Sequence, residues 1–196
     1  MKELILTITI MAETFLVASL IVTLVNPSLR VWPPPRRNSW KYFFTWGLTI
    51  GSWAGILTLG ILDWNSFLLD HWLRFPIGIG LIASSLILVI WAIKILGFQA
   101  SQGLGGTIVQ QGPYQIIRNP QYLADIIMLG GFGILTNSVY ACFTCFLGMV
   151  WFIVAPFTEE PWLQKEFGPD YNLYMEKVPR WILLGYIEET FIYNIN

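Results

Sequence analysis

The chain alternates long apolar stretches with short polar ones, at a spacing typical of membrane-crossing helices. A helix needs about 20 mostly apolar residues to cross a bilayer. Residues 4–25, 42–62 and 77–96 satisfy this requirement, and each stretch is followed by polar or glycine residues that interrupt the apolar pattern. The pattern therefore predicts three spans within residues 1–96.

A fourth apolar block, residues 122–157, is too long for a single spanning helix. The polar triplet at 136–138 interrupts it with turn-forming residues. We expect a helical hairpin with arms at about 120–135 and 139–154, both short for a span at 1.5 Å per residue. The predicted fold is therefore all-α, a polytopic membrane bundle of about five transmembrane helices in a single domain, 1–196. Its first part, 1–96, contains three spans, and its second part, 97–196, contains a loop, the hairpin and a tail.

Composition supports a membrane protein and narrows its partners. Hydrophobic residues make up 55% of the chain and charged residues only 12%, about half the usual share of roughly 25%. The net charge of −1 gives no electrostatic reason to expect a nucleic-acid partner. The single histidine, His71, argues against a histidine-based metal site. We therefore expect the lipid bilayer as surroundings and neither nucleic acid nor metal as a partner.

The distribution of basic residues predicts the orientation. With five spans, nine of the eleven Lys and Arg residues fall on one side, and basic residues favour the cytoplasmic side of a membrane. This places the N-terminus outside and the C-terminus in the cytoplasm. The two long polar segments, 97–119 and 157–196, then share the cytoplasmic face and flank the hairpin. We expect a cofactor pocket there, in contact with both cytoplasm and lipid.

Two polar segments before the hairpin have candidate chemistry. Residues 103–114 are rich in glycine, which permits tight turns and a close approach of backbone to ligand. No strand precedes them, so they do not form a dinucleotide-binding fingerprint, and an ordinary membrane loop is the alternative. Residues 114–122 contain Arg118, whose guanidinium suits a carboxylate or a phosphate. The alternative for Arg118 is an interfacial anchor.

Two adjacent carboxylates, Glu159 and Glu160, follow the second hairpin arm directly. We expect Thr158 to cap a short helix that carries them in its first turn, and Gly168-Pro169 to end that helix. Acidic residues are common in a first turn, where they complement the helix dipole. Because aromatic side chains lie beside them in the sequence, a site for a cation is the second interpretation.

Two acidic residues fall inside predicted spans, Glu13 and Asp125. An ionisable group at membrane depth is costly and usually faces the protein interior or a cavity. Asp125 lies near the start of the hairpin, close to the polar segments, so we assign it with Trp162 to a substrate portal. Glu13 lies too deep for the cofactor, and we expect it to be protonated or paired within the bundle.

In this order the segments resemble the C-terminal half of the isoprenylcysteine carboxyl methyltransferase and phospholipid N-methyltransferase superfamily. The matching positions are Gly112, Tyr114, Arg118, Pro120 and Tyr122 in a first block, Glu159, Glu160, Leu163, Phe167, Gly168, Tyr171 and Tyr174 in a second, and Val178-Pro179-Arg180 at the end. The similarity covers residues 97–181, and the first two spans contribute only bulk hydrophobicity.

The resemblance implies a methyltransferase that binds S-adenosylmethionine at the cytoplasmic face and admits a lipid-like or isoprenoid-linked substrate from the membrane. Carried over by position, it implies cofactor contacts at Gln99, Gly106, Thr107, Ile108, Val109, Tyr114, Asn119, Pro120, Tyr122 and Glu159. It also makes Glu159, Glu160 and Arg118 the candidates for catalysis.

Two departures from the family pattern bear on the substrate. Asn119 stands where the family usually has histidine, which resembles the phosphatidylethanolamine N-methyltransferase branch. Ala155 stands where the carboxyl methyltransferases have a substrate-binding arginine, and this argues against a prenylcysteine carboxylate. Two alternative functions follow: an NADPH-dependent membrane reductase, because sterol reductases end in a related block, and an inactive structural homologue.

Overall fold

The computed structural model describes residues 1–181, and this part of the chain is helical. The α-helices are α1 (Lys2–Val25), α2 (Trp40–Leu62), α3 (Arg74–Leu96), α4 (Pro120–Thr136), α5 (Val139–Phe167) and α6 (Pro169–Lys177). Short 3-10 turns lie in the connections at Pro27–Leu29, Ala100–Gln102 and Gly112–Gln115. The predicted all-α class is confirmed for these residues. The end of the predicted tail, 182–196, lies outside the described residues.

Helices α1 to α5 run alternately between the two ends of the bundle. At one end the α4–α5 turn meets the α2–α3 connection, where the Asn65 N–H donates to the Thr136 carbonyl oxygen at 3.0 Å. At the other, the chain before α4 meets the chain after α6, where the Arg118 N–H donates to the Pro179 carbonyl oxygen at 3.0 Å. The second is called the cavity end below. Both polar segments with candidate chemistry lie there.

Four of these helices, α1, α2, α3 and α5, are long and apolar enough to cross a membrane. Helix α4 has 17 residues, about 26 Å at 1.5 Å per residue, slightly less than the roughly 30 Å of a bilayer core. It nevertheless passes between the same two ends as its neighbours. The polytopic helical bundle predicted from the apolar pattern is therefore confirmed, with α4 as its short member.

The second hairpin arm is longer than predicted. Helix α5 has 29 residues and continues through Pro156 and Pro161, although a proline inside a helix lacks one donor and normally kinks or ends it. Prolines are tolerated in membrane helices because surrounding groups satisfy the freed backbone. Thr158 therefore does not cap a new helix; its hydroxyl donates to the Ala155 carbonyl oxygen within α5 at 2.8 Å. The predicted end at Gly168 is confirmed.

Polar residues hold the α4–α5 turn in place. Asn137 ends α4 in the left-handed conformation with φ +48°, which asparagine tolerates better than most residues. Its amide nitrogen donates to Asn65 Oδ1 at 2.8 Å and to the Phe67 carbonyl oxygen at 3.2 Å. Ser138 caps α5 and donates to Asp63 Oδ2 at 2.9 Å. These bonds explain why the hairpin turn is polar, and they hold it against the α2–α3 connection at the end of the bundle opposite the cavity end.

Glu13, a residue of α1, is buried against α2, with 1% of its surface exposed. The Ser52 hydroxyl donates to its Oε1 at 2.9 Å, while Oε2 has no partner among residues 1–181. Glu13 lines a small cavity of about 20 Å³ beside Trp151, which is room for about one water molecule. Glu13 is thus placed in the bundle interior, away from the polar segments.

Helix α3 packs against α4 more extensively than any other helix pair in the described residues. The contact depends on small residues: a Cβ on Gly78 would lie 2.7 Å from Leu135 Cβ and 2.9 Å from the Gly131 carbonyl oxygen. A Cβ on Gly131 would in turn lie 2.8 Å from Leu81 Cβ. Small residues commonly allow such close approach between membrane helices. This contact positions α4, which carries part of the cavity wall.

We expect Gly78→Ala to lower the free energy of unfolding by about 1–3 kcal/mol, because the added methyl group overpacks the α3–α4 contact. Gly80→Ala is the matched control on the same helix, since nothing lies within 4 Å of a Cβ there. It should leave stability unchanged or raise it by up to about 1 kcal/mol through helix propensity. Thermal unfolding of both variants in detergent measures the difference, and equal midpoints would contradict this packing.

Candidate functional site

A cavity of about 110 Å³ lies at the cavity end, between the α3–α4 connection, the start of α4, the last third of α5 and α6. Trp32, from the α1–α2 connection, and Leu96, at the end of α3, complete its walls. The lining residues are Ala100, Ser101, Gly103 and 105–109 in the connection, Tyr114 and 118–122 around the start of α4, Glu159, Trp162, Leu163 and Phe167 in α5, and Tyr171 and Tyr174 in α6. Elements far apart in sequence therefore build one cavity.

The glycine-rich loop forms the wall opposite α5. Gly103 and Gly105 have φ values of +74° and +81°, a left-handed conformation that glycine adopts without steric cost. A Cβ on Gly103 would lie 3.1 Å from atoms of Pro33 and Pro34, so the loop rests directly on the α1–α2 connection. A Cβ on Gly106 would lie 3.0 Å from Ala100 Cβ. The glycines therefore let the loop fold back and line the cavity with backbone.

A chain of two hydrogen bonds at the cavity joins the α1–α2 connection, α4 and α5. The Trp32 indole N–H donates to the Tyr122 hydroxyl oxygen at 2.9 Å, and the Tyr122 hydroxyl donates to Glu159 Oε2 at 2.6 Å. Glu159 lines the cavity, and its Oε1 accepts no hydrogen bond from residues 1–181. The carboxyl group is thus held through one oxygen, while the other is available to a ligand that donates a hydrogen bond.

Glu160 lies in a different environment from its neighbour. It is 4% exposed and pairs with two guanidinium groups: Arg180 Nε donates to Oε1 at 3.0 Å, and Arg118 Nη2 lies 3.4 Å from the same oxygen. A second nitrogen of Arg180 contacts Oε2. Glu160 does not line the cavity. It ties the end of the described chain to the start of α4, whereas the sequence had made it an equal partner of Glu159 in catalysis.

Three buried tyrosines form the polar floor of the cavity. The Tyr174 hydroxyl donates to the Tyr114 carbonyl oxygen at 2.7 Å, and the Gln121 amide donates to the Tyr114 hydroxyl oxygen at 2.9 Å. Burial raises the pKa of Tyr114, Tyr171 and Tyr174 above the usual value for a phenol. All three therefore stay protonated near neutral pH, where they offer neutral hydroxyl groups and aromatic faces to a ligand.

Two buried donors on the cavity wall have no partner among the described residues. They are Arg118 Nε and Asn119 Nδ2, and both residues line the cavity. A buried donor without an acceptor costs free energy of about 1–3 kcal/mol. Unsatisfied groups of this kind, collected at a cavity, favour a ligand that brings acceptor atoms.

Arg30 lies against Trp162, a residue of the cavity wall. Its guanidinium carbon is 5.0 Å from the centre of the Trp162 ring, within the range of a cation–π contact. Partial burial lowers the pKa of Arg30, and the nearby charge of Glu166 raises it. Lys41 donates to the Leu29 and Arg30 carbonyl oxygens at 3.0 and 2.8 Å. The Arg30–Trp162 contact therefore attaches the α1–α2 connection to α5 beside the cavity.

The structure brings most of the predicted site residues to this cavity. Those on its walls are Gly106, Thr107, Ile108, Val109, Tyr114, Arg118, Asn119, Pro120, Tyr122, Glu159 and Trp162. Three others are not on the walls. Gln99 is exposed and supplies its carbonyl to the turn that follows, Glu160 pairs with arginines, and Asp125 lies one helical turn beyond Tyr122 in α4. What the wall residues do remains a prediction.

Sequence reasoning missed Trp32 as part of the site. A tryptophan followed by three prolines is typical of an interfacial residue in a stiff extended connector. No periodicity or motif links Trp32 to Tyr122, 90 positions away. The available signal was topological: the α1–α2 connection and the hairpin both open at the end of the bundle that has most of the basic residues. Leu163, Phe167, Tyr171 and Tyr174 were noted only as positions of the family pattern, and they line the cavity as well.

The fold and the cavity define a helical membrane protein with a cavity at one end of its bundle. A family model described as phospholipid methyltransferase matches residues 73–170. The match covers half of the 196 residues, and the chain belongs to this family. It begins at the base of α3, runs through the glycine-rich loop and the hairpin, and ends at the start of α6.

Two curated relatives are similar over this region. Steroid 5-alpha-reductase DET2 of Solanum lycopersicum is 30% identical over 107 residues, which are 51% of this chain and 39% of that protein. Phosphatidylethanolamine N-methyltransferase B of Dictyostelium discoideum is 32% identical over 90 residues, 42% of this chain and 45% of that protein. The matches thus span less than half the length of either relative. No solved structure matches the chain.

Proposed function

We propose that this protein binds S-adenosylmethionine in the cavity and transfers its methyl group to a lipid-like substrate from the membrane. Membership of the phospholipid methyltransferase family supports the reaction class. The observation that carries the assignment is the cavity itself, whose lining residues include Glu159, with one carboxylate oxygen unpartnered among residues 1–181, and Arg118 and Asn119, each with an unpartnered buried donor. These groups lie where the apolar helices meet the polar connections.

The residues present suit this cofactor. Its ammonium and ribose hydroxyl groups need acceptors, and Glu159 Oε1 is one. Its carboxylate and adenine nitrogens need donors, and Arg118 Nε and Asn119 Nδ2 are buried donors without partners among residues 1–181. Its positive sulfur is suited to aromatic faces, which the buried tyrosines on the cavity wall provide. The backbone of 105–109 has further groups for the adenine edge.

When bound, S-adenosylmethionine would supply a methyl group on a positively charged sulfur. The contribution of this chain is then alignment and exclusion of water, which supply much of the rate in a displacement reaction. We assign alignment to Glu159, Arg118 and the loop backbone. Tyr122 holds Glu159 through the 2.6 Å hydrogen bond, so the carboxyl group is oriented before the ligand arrives. Glu160 supports Arg118 and does not touch the ligand.

The proton balance depends on the substrate. An amine that gains a methyl group must release a proton, and we assign its acceptance to Glu159. A carboxylate acceptor needs no base because it is already anionic. Asn119 and Ala155 favour the amine, since they depart from the carboxyl methyltransferase pattern. We assign Asp125 and Trp162 to the portal through which the substrate enters from the lipid.

We propose that the cavity end faces the cytoplasm, with the N-terminus outside. The basic residues of the α1–α2 connection support this, together with Lys94, Arg118, Lys165, Lys177 and Arg180, because all of them lie at the cavity end or near it. Lys2 instead pairs with Asp63 at the opposite end, at 3.1 Å. The cofactor is a soluble cytoplasmic molecule, so a cavity on this side is accessible to it.

Ligand binding separates this function from its alternatives. We expect the purified protein to bind S-adenosylmethionine, and not NADPH, in isothermal titration. The similarity to a steroid 5-alpha-reductase makes NADPH the necessary comparison. Binding of NADPH alone would establish the reductase alternative, and binding of neither would favour an inactive homologue.

A second experiment tests the proposed orientation. In sealed membrane vesicles, labelled S-adenosylmethionine should bind to inverted vesicles without detergent and to right-side-out vesicles only after permeabilisation.

A further inference from the structure

We propose that Trp32 is a positioning residue of the site: its indole N–H fixes the direction of the hydrogen bond from Tyr122 to Glu159. This inference rests on the proposed function for its consequence in ligand binding. Its geometric basis is independent of that function. Trp32 belongs to the α1–α2 connection, outside the residues 73–170 that match the family model, and it contacts the cavity from there.

Trp32 is held in place from several sides and is 4% exposed. Its ring packs edge-on against Trp151 and Trp46, with centroid distances of 5.4 and 6.4 Å. The backbone N–H of Val31 donates to the Thr23 hydroxyl oxygen at 3.1 Å, which ties this part of the connection to α1. A side chain fixed in this way presents its N–H in one direction, towards Tyr122.

The chemistry of the three groups sets the direction of the chain. An indole nitrogen can only donate, and a phenol has one proton to donate and two lone pairs that accept. Because Trp32 donates to the Tyr122 oxygen at 2.9 Å, the phenol proton is directed away from it, towards Glu159 Oε2 at 2.6 Å. Glu159 Oε2 must then act as acceptor, and Oε1 is the oxygen left for a ligand.

Without the indole N–H, the phenol is free to rotate, and its oxygen can accept a hydrogen bond from Glu159 in its acid form. The carboxyl group then loses its fixed orientation. The α1–α2 connection therefore contributes to ligand binding through Tyr122 without contacting the reacting atoms. Trp32 differs in this respect from the two tryptophans packed against it. Its indole N–H is paired with Tyr122, whereas the indole nitrogens of Trp46 and Trp151 have no partner among residues 1–181.

A double-mutant cycle tests the inference with S-adenosylmethionine as the probe in isothermal titration. Trp32→Phe keeps an aromatic ring and removes the donor, so we expect binding about 2- to 10-fold weaker, the size of one hydrogen bond. In the Tyr122→Phe background the same substitution should have no effect, because the hydroxyl group through which it acts is gone. An equal loss in both backgrounds would assign Trp32 a packing role and overturn the proposal.

Trp40→Phe is the control, since Trp40 is exposed and does not line the cavity; we expect unchanged affinity. A second measurement does not need the ligand. In nitrogen-15 spectra of indole groups, the Trp32 signal, assigned by its loss in Trp32→Phe, should move upfield in Tyr122→Phe. An unmoved signal would refute the hydrogen-bond chain. If the Trp32 signal moves as expected in Tyr122→Phe but the wild-type protein does not bind S-adenosylmethionine, the hydrogen-bond chain stands and the proposed function is refuted.

Discussion

Replacing Glu159 with glutamine is expected to weaken S-adenosylmethionine binding roughly 10- to 100-fold, the range for a hydrogen bond to a charged group. The substitution keeps the shape of the side chain and an acceptor for the Tyr122 hydroxyl, which now donates to Glu159 Oε2 at 2.6 Å. It removes the negative charge that a cationic ligand group would meet. Isothermal titration measures the loss, and methyl transfer at saturating cofactor measures any further loss of rate.

Glu166→Gln is the control for this experiment. Glu166 lies seven residues further along α5, so it is on the same side of the helix, but it is exposed and does not line the cavity. Both variants remove one carboxylate from α5 by the same change. Affinity should fall for the Glu159 variant only. An equal fall would attribute the effect to the general negative charge of this helix and would remove Glu159 from the site.

Replacing Glu160 with alanine is expected to lower the free energy of unfolding by about 3–5 kcal/mol, the usual cost of removing one partner from a buried ion pair. Glu160 is 4% exposed and pairs with both Arg118 and Arg180. Without it, the buried Arg118 guanidinium loses the carboxylate that it pairs with. Thermal or denaturant unfolding in detergent measures the change, which should exceed that of any other single substitution considered above.

The comparison with Glu176→Ala makes the result specific. Glu176 is an exposed residue of α6, and its removal should change stability by less than about 0.5 kcal/mol. A Glu160 variant of normal stability that loses methyl transfer would contradict the structural assignment and restore a direct role in the reaction. A stability loss with binding retained by the folded fraction would support the assignment.

The two acids illustrate what local sequence does not decide. Adjacent in sequence, they had equal claims to catalysis. In a helix, consecutive side chains point about 100° apart, because 3.6 residues make one turn. The expected helix start at Thr158 would have placed both in a loose first turn. Since α5 is continuous through Phe167, Glu159 faces the cavity while Glu160 faces Arg118 and Arg180.

The sequence by itself determined the class of the fold, the C-terminal ends of α1 to α4 and most of the segments from which the cavity is built. These features are local: apolar length specifies a spanning helix, and residues such as Asn137 and Gly168 end helices through their own backbone preferences. The tertiary structure alone decided which carboxylate faces the cavity and that Trp32 reaches Tyr122 across 90 positions. Such contacts depend on how helices pack and turn about their axes, which no short segment specifies.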